Sequence, residues 1–539
     1  MPILDFSWEW HSYLAGVYVA LTVGVPYLYL TVTVNAMQPL LQAFITDSLL
    51  HHYGLQVSEA AMVWIWSSVL TVPALFGIAG SLLSTRMADN WGRKRALLIG
   101  GPALTLLCCA VLAAAHPLRS VLLLALGINL TFFMFAFASP IANTYLVETT
   151  IPSLQGSATM LCVALRTLGD MAGSVLSMER VLGTAEGWWR VYACLTLPVS
   201  LVLIAGALYL PESPKWLLLT KRDETAARRS LRAYNVPVEA VDKALDLIRS
   251  EALSSRRRGG LNAGHRMKLS ELVFDRRHLR LVATIVVVLS ASTANGSFVL
   301  SLYSTAFLHD SGLSLSDAQS YTLARGALSV LGDALNVAII RRVGRRPLLL
   351  WAQTITCVFF GACSILGVLP AGQWAAQAAG VTLALGSYTA VTARHIGQFI
   401  PAELVVHRYR APASALASFT HEVTTMIQVA SFYPLLSLMG SMSLMPSVVC
   451  NALLTLAMWW LLPEISGRPV VTVFRELARL GHNVCLRLWV CRARNASPVP
   501  PSAAASVVGF VDERQPLLAV DDENVDNYIA IDRLVGTER

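Results

Sequence analysis

Ala88-Asp89-Asn90-Trp91-Gly92-Arg93-Lys94 and Arg341-Arg342-Val343-Gly344-Arg345-Arg346 are two short basic stretches, each built on one glycine and each set between two long apolar runs. A tight glycine turn with basic residues suits a loop at a lipid surface. One copy could be a mere charge anchor. Two copies at corresponding places, six apolar runs apart, mark an internal repeat of the kind built into membrane transporters.

Working outward, the apolar runs are 14–36, 61–84, 96–115, 120–146, 158–178, 188–210, 279–305, 321–340, 347–369, 376–400, 414–437 and 441–462. Each is about the 20 residues that a bilayer core of about 30 Å requires of a helix. The chain is 539 residues long, 55% hydrophobic and 14% charged. A soluble chain would carry roughly a quarter charged residues. The expected fold is therefore an all-α membrane protein of twelve transmembrane helices in two six-helix halves, 14–210 and 279–463. The halves are joined by a polar loop, 211–278, in which 222–233 and 238–252 have the composition of short helices.

Basic residues are placed asymmetrically. Arg86, Arg93, Lys94 and Arg95 follow the second run, Arg341, Arg342, Arg345 and Arg346 the eighth, and Arg408 and Arg410 the tenth. The 211–280 segment holds 16 Lys and Arg, and 37–60 holds none. The positive-inside rule then puts these loops and both termini, including the short 1–13 segment, in the cytoplasm. The net charge of +8 is thus spent on the membrane surface, and no nucleic-acid partner is expected. Asp5 and Glu9 argue against a secretory leader. Nine cysteines without C-x-x-C spacing read as small core residues, with neither a disulfide framework nor a metal site. No phosphate loop or Ser–His–Asp order appears, so neither an enzyme nor a cofactor is expected.

Further motifs surround the repeat. They are Glu148-x-x-x-Pro152-x-x-x-Gly156, Gly183-Thr184-Ala185-Glu186, Pro211-Glu212-Ser213-Pro214-Lys215-Trp216-Leu217, Tyr303-Ser304-Thr305, Ala402-Glu403-Leu404 and Pro463-Glu464-x-x-Gly467-Arg468. Over about 15–470 the chain resembles the sugar porter family of the major facilitator superfamily, most closely animal facilitative glucose and fructose transporters. That resemblance implies the major facilitator fold, alternating access, and a small-molecule solute, a hexose first. It also implies a cytoplasmic latch of acidic and basic helix ends, here Asp89, Arg93, Glu148, Glu212, Arg345, Glu403 and Arg410. Thr85, Gln155 and Arg341 depart from the family pattern, which implies an altered latch.

The family's sugar-binding residues are not kept. Their equivalents here are Val163, Ser292, Thr293, Phe298, Ser329, Gln398 and the pair His421-Glu422. Ionisable residues stand at midplane depth instead: Arg166 and Asp170 in helix 5, Arg325 and Asp333 in helix 8, Arg394 and His395 in helix 10. Such groups are costly in a bilayer and mark solute or ion pathways unless they merely neutralise one another. The candidate substrate site is Arg166, Asp170, Ser292, Thr293, Asn295, Asp333, Arg394, Gln398, His421 and Glu422. An ion pair from Arg166 to Asp333 is expected between helices 5 and 8, because both residues lie roughly 12 Å from the cytoplasmic surface by helical rise. Asn295 beside Gly296 bends helix 7 or simply packs there. Two alternatives to hexose transport stay open: a proton-coupled carrier of a charged organic solute, and a nutrient receptor that no longer transports.

Residues 464–495 read as a basic amphipathic segment on anionic lipid. The tail 496–539 reads as disordered. It carries Glu513-Arg514-Gln515-Pro516-Leu517-Leu518, an acidic dileucine pattern read by clathrin adaptors, and Tyr528-Ile529-Ala530-Ile531, a tyrosine sorting pattern. Plasma membrane and endosomal or lysosomal membrane are equally compatible with these signals.

Overall fold

The computed structural model describes residues 13–464 except 151–154, 235–240, 247, 250–268, 275–277, 370–372 and 406, together with Val473 and Leu477. The sorting residues Glu513, Leu517, Leu518, Tyr528 and Ile531 lie outside the described residues.

Twelve helices cross the bilayer. In the first half these are α1 (Tyr13–Ala36), α2 (Glu59–Trp91), α3 (Arg93–Ala115), α4 (Val121–Thr149), α5 (Gln155–Leu176) and α6 in two pieces, Trp188–Cys194 and Thr196–Tyr209. In the second half they are α7 (Leu279–Asp310), α8 (Leu315–Val343), α9 (Arg345–Val368), α10 (Gln373–Leu404), α11 (His407–Met439) and α12 (Met445–Leu461). The helices that fall short of a continuous apolar span are informative. The helix α6 is broken, whereas α5, α8 and α10 carry the midplane charges Arg166, Asp170, Arg325, Asp333 and Arg394.

The two quoted stretches adopt the same backbone. Gly92 ends α2 at φ 96°, ψ 161°, and Gly344 ends α8 at φ 86°, ψ 169°. Only glycine visits this region at little cost, so the repeated glycine lets one helix stop and the next start within a single residue. On the opposite face the helices open on serine caps: Ser58 accepts from the Ala61 N–H, Ser120 from Leu123 and Ser314 from Asp317. Each satisfies one of the backbone donors that a helix start leaves without a partner.

Helix α7 is interrupted at the Asn295-Gly296 pair. Gly296 takes a left-handed conformation, φ 85°. The Asn295 carbonyl oxygen accepts from the Ser297 N–H, and its amide donates to the Ala390 carbonyl of α10. The break leaves polar backbone inside the protein, where neighbouring helices can satisfy it.

Within the first half, α1 and α5 approach until backbone meets backbone. A Cβ at Gly169 would stand 2.3 Å from the Val25 carbonyl oxygen, and one at Gly173 2.8 Å from that of Tyr29. Small residues at such crossings let van der Waals packing hold helices together in lipid. Gly169→Leu should therefore cost at least ~1–3 kcal/mol, the usual toll of forcing extra atoms into a packed core. The checking measurement is the melting temperature in detergent, expected to drop by several degrees. An unchanged value would mean that the two helices do not touch there.

Between the halves, α2 lies along α11 and α5 along α8, with the outer part of α7 against α1. The polar loop folds back on the basic face. Glu224–Ala233 forms a helix, and Ala227, Leu231, Tyr234, Val241 and Leu245 close a small apolar core of their own. The Tyr145 and Tyr234 hydroxyls converge on the Pro211 carbonyl at 2.8 and 3.2 Å, which anchors the loop to α4. Val473 and Leu477, in the segment expected to be amphipathic, are buried against the core of the second half.

Candidate functional site

A polar centre lies between the halves, assembled from α1, α2, α5, α7, α8, α10 and α11. Its firmest contact joins α8 to α5. The Arg325 Nη2 donates to both Asp170 carboxylate oxygens at 3.0 and 2.9 Å, with the two side chains only 1% and 7% exposed. Gly326, next to Arg325, faces Asp170 and the Met171 backbone.

The expected Arg166–Asp333 pair does not form. Helices 5 and 8 are joined by an ion pair, but the partners are different. Asp333 turns toward α10, where its Oδ1 meets His395 Nδ1 at 3.2 Å. Arg166 turns toward α1 and α4. Its stem lies against Gly24, so closely that a Cβ there would be 1.8 Å from Arg166 Cγ. Its guanidinium sits 5.3 Å from the Phe135 ring centroid. Helical rise equalises the depths of Arg166 and Asp333, but the direction of each side chain around its helix sends them apart.

The remaining candidates divide by helix face. His421 and Glu422 are adjacent on α11 and so diverge by about 100°. His421 Nδ1 meets the Thr293 hydroxyl of α7 at 2.9 Å. Glu422 points to α2, where it fills the space beside Gly77. The Arg394 guanidinium lies 4.8 Å from the Phe298 ring centroid. Ser292 spends its hydroxyl on the Val288 carbonyl of its own helix. Gln398 is half-buried one turn beyond Arg394. Asn295 holds the α7 break through its bonds to Ala390 and Ser297.

The sequence reading missed an aromatic wall. The Tyr27 ring stacks on Phe135 at 3.8 Å and meets Phe132 edge-on at 5.8 Å, and Phe132 in turn meets Phe298. Aromatics inside apolar runs carry no signal separating a site wall from ordinary core. Only their position against the two arginines does so.

On the basic face, four of the seven latch residues form one network. Arg93 binds Glu148 through two bonds, 3.2 and 3.4 Å, and reaches Asp89 at 3.3 Å. The Ser213 hydroxyl donates to Glu148. Glu212 accepts from the Lys94 and Ser213 backbone N–H groups, each at 2.9 Å. Arg345 stands at the start of α9, half-buried. The Glu403 and Arg410 side chains lie outside the described residues.

On the opposite face the halves are stitched by neutral bonds. The Asn35 amide of α1 donates to the Ser304 hydroxyl of α7, and its carbonyl accepts from the Thr305 N–H. Gln319 donates to the Ala36 carbonyl, Gln42 to the Tyr433 hydroxyl, and Ser67 to the Ala430 carbonyl. Tyr303 is packed behind this seam, stacked on Tyr433 with centroids 5.5 Å apart.

This arrangement of twelve helices, a glycine-turn repeat and a polar centre between halves matches a known family. The profile described as "Sugar (and other) transporter" fits residues 16–476. The chain belongs to this family. Among relatives of this transporter, mouse facilitated glucose transporter member 7 is 24% identical over 83% of this chain and 86% of its own length. Horse facilitated glucose transporter member 5 is 23% identical over 85% and 90%. Among solved structures, the proton:xylose symporter XylE bound to 6-bromo-6-deoxy-D-glucose superimposes with a TM-score of 0.67 at 17% identity, covering 86% of this chain and 99% of that one. An inward-open form of XylE from E. coli gives 0.66 at 17% identity. The fold of this transporter is that of the major facilitators, and the protein is a multi-pass integral membrane protein.

Proposed function

We propose that this transporter moves a small polar organic solute, a hexose first, across its membrane by alternating access. One observation supports this most. On one face the halves are joined by single neutral hydrogen bonds, while the charged centre is enclosed between them. Each such bond contributes only about 1 kcal/mol net, so the seam can open without a large barrier and expose the centre to that side. The named relatives are glucose transporters, which makes hexose the first solute to test. In this reading Arg166, Asp170, Thr293, Asp333, Arg394, His421 and Glu422 line or shape the pathway. Asp89, Arg93, Glu148 and Glu212, with Arg345, Glu403 and Arg410 on the second half, time the opening of the basic face. That face, with both termini, is cytoplasmic.

The test is uptake of radiolabelled D-glucose and D-fructose into proteoliposomes holding the purified full chain. Saturable uptake above that of empty vesicles is expected. Melting stabilised by a hexose without any uptake would instead favour a receptor that binds solute and does not transport it.

The dileucine pattern at Glu513, Leu517 and Leu518 and the tyrosine pattern at Tyr528 and Ile531 support residence in endosomal or lysosomal membranes through clathrin adaptors, with the plasma membrane as the equal alternative. Replacing both Leu517 and Leu518 by Ala should raise the surface-biotinylated fraction severalfold. A wild-type protein already at the surface would make the pattern a chance match.

A further inference from the structure

Three arginines are buried in the polar centre, and they are not equally matched. Arg325 has Asp170. Arg166 on α5 and Arg394 on α10 belong to opposite halves and are 7% and 5% exposed. Neither stands within ion-pair distance of a carboxylate among the described residues, and the Nε of each is buried without a partner. Each guanidinium lies against an aromatic ring, Phe135 for Arg166 and Phe298 for Arg394. One cluster of rings joins the two, because Phe135 stacks on Tyr27 and Phe132 meets both Tyr27 and Phe298.

The nearby acids do not resolve this. Asp333 is in contact with His395, and Glu422 packs against Gly77. Neither lies within ion-pair distance of Arg166 or Arg394. Attraction at a distance lowers the Coulomb cost but makes no hydrogen bond, and each guanidinium carries five N–H donors. A buried cation left this way costs several kcal/mol. Two of them, one on each half, are donor forks whose geometry matches a carboxylate.

We propose that the transported solute is an organic anion bearing a carboxylate, gripped by Arg166 from one half and Arg394 from the other. This rests on the reading of the centre as a solute site and names the chemical class that site selects. Phe135 and Phe298 back the two guanidiniums, and Tyr27 braces Phe135 by stacking on it. Because the anion touches both halves at once, its binding draws them together, and this is the coupling that alternating access needs.

The matched probes are D-glucose and D-glucuronate, which differ only by a carboxylate in place of a hydroxymethyl group. Purified full-length protein is melted in detergent with each, against chloride at equal ionic strength, and uptake of each is measured in proteoliposomes. Wild type should be stabilised by glucuronate and should take it up in preference to glucose. Arg166→Gln and Arg394→Gln should each raise the KM for glucuronate roughly tenfold to a hundredfold, the worth of a hydrogen bond to a charged group, and should shift the KM for glucose less than that for glucuronate. Each variant without ligand should melt at or above the wild-type temperature, because an uncompensated buried charge has been removed. A merely structural role would lower the melting temperature and leave glucuronate without effect on wild type. Glucose transport with no binding or competition by glucuronate overturns the inference and leaves hexose transport standing. Arginine-dependent glucuronate binding with no uptake of either probe supports the inference and overturns the transport reading.

Discussion

Asp170→Asn and Arg325→Gln, made singly, should each abolish transport, and exchanging the two charges should restore part of it. The pair is the most buried ion pair between the halves among the described residues, with 2.9 and 3.0 Å contacts from one nitrogen to both oxygens. Replacing a buried pair by apolar groups can be nearly neutral, but removing one partner strands the other charge at about 3–5 kcal/mol. Asp170 and Arg325 sit where α5 of one half meets α8 of the other. A stranded charge there would pull in water or wedge the helices apart, and either change would shift the balance between the two access states. The measurements are solute uptake and melting temperature in the same preparations. The double exchange Asp170→Arg with Arg325→Asp should recover stability more fully than transport, since the geometry of the fork is not symmetrical. A single variant that transports at the wild-type rate would show that the pair has no part in the cycle.

The second large effect is expected at the basic face. Arg93→Ala should lower turnover roughly tenfold to a hundredfold, the scale set by charged hydrogen bonds of ~1.5–3 kcal/mol, while equilibrium solute affinity stays near wild type. Arg93 ties the α2–α3 turn to the end of α4 through Glu148, and Ser213 on the following loop shares that carboxylate. The same turn presents its backbone N–H to Glu212. Removing the guanidinium leaves Glu148, among the described residues, with the Ser213 hydroxyl as donor and frees the turn from α4, far from the solute. Affinity and turnover that fall together would mean that Arg93 holds the shape of the site and does not govern its opening.

Much of this protein is legible in the sequence by itself. Run length against bilayer thickness sets the helix count, and the asymmetry of Arg and Lys sets the expected orientation. The repeated glycine at 92 and 344 sets the two-half plan, because no other residue type takes that backbone at low cost. The midplane charges are also visible, because a charge in an apolar run stands out, and helical rise gives their depths.

The partners were decided only by the tertiary structure. Arg166 and Asp333 share a depth yet face different neighbours, α1 and α4 for one and α10 for the other. Asp170 answers to Arg325, 155 residues away. The cradle at Gly24, the slot at Gly77 and the ring wall of Tyr27, Phe135 and Phe298 exist only once particular helices are side by side. A sequence fixes how far along its own helix a side chain lies, through a constant rise per residue. Which partner it meets depends on its direction around that axis and on the helix packed opposite, and both are set by the packing of all twelve helices together.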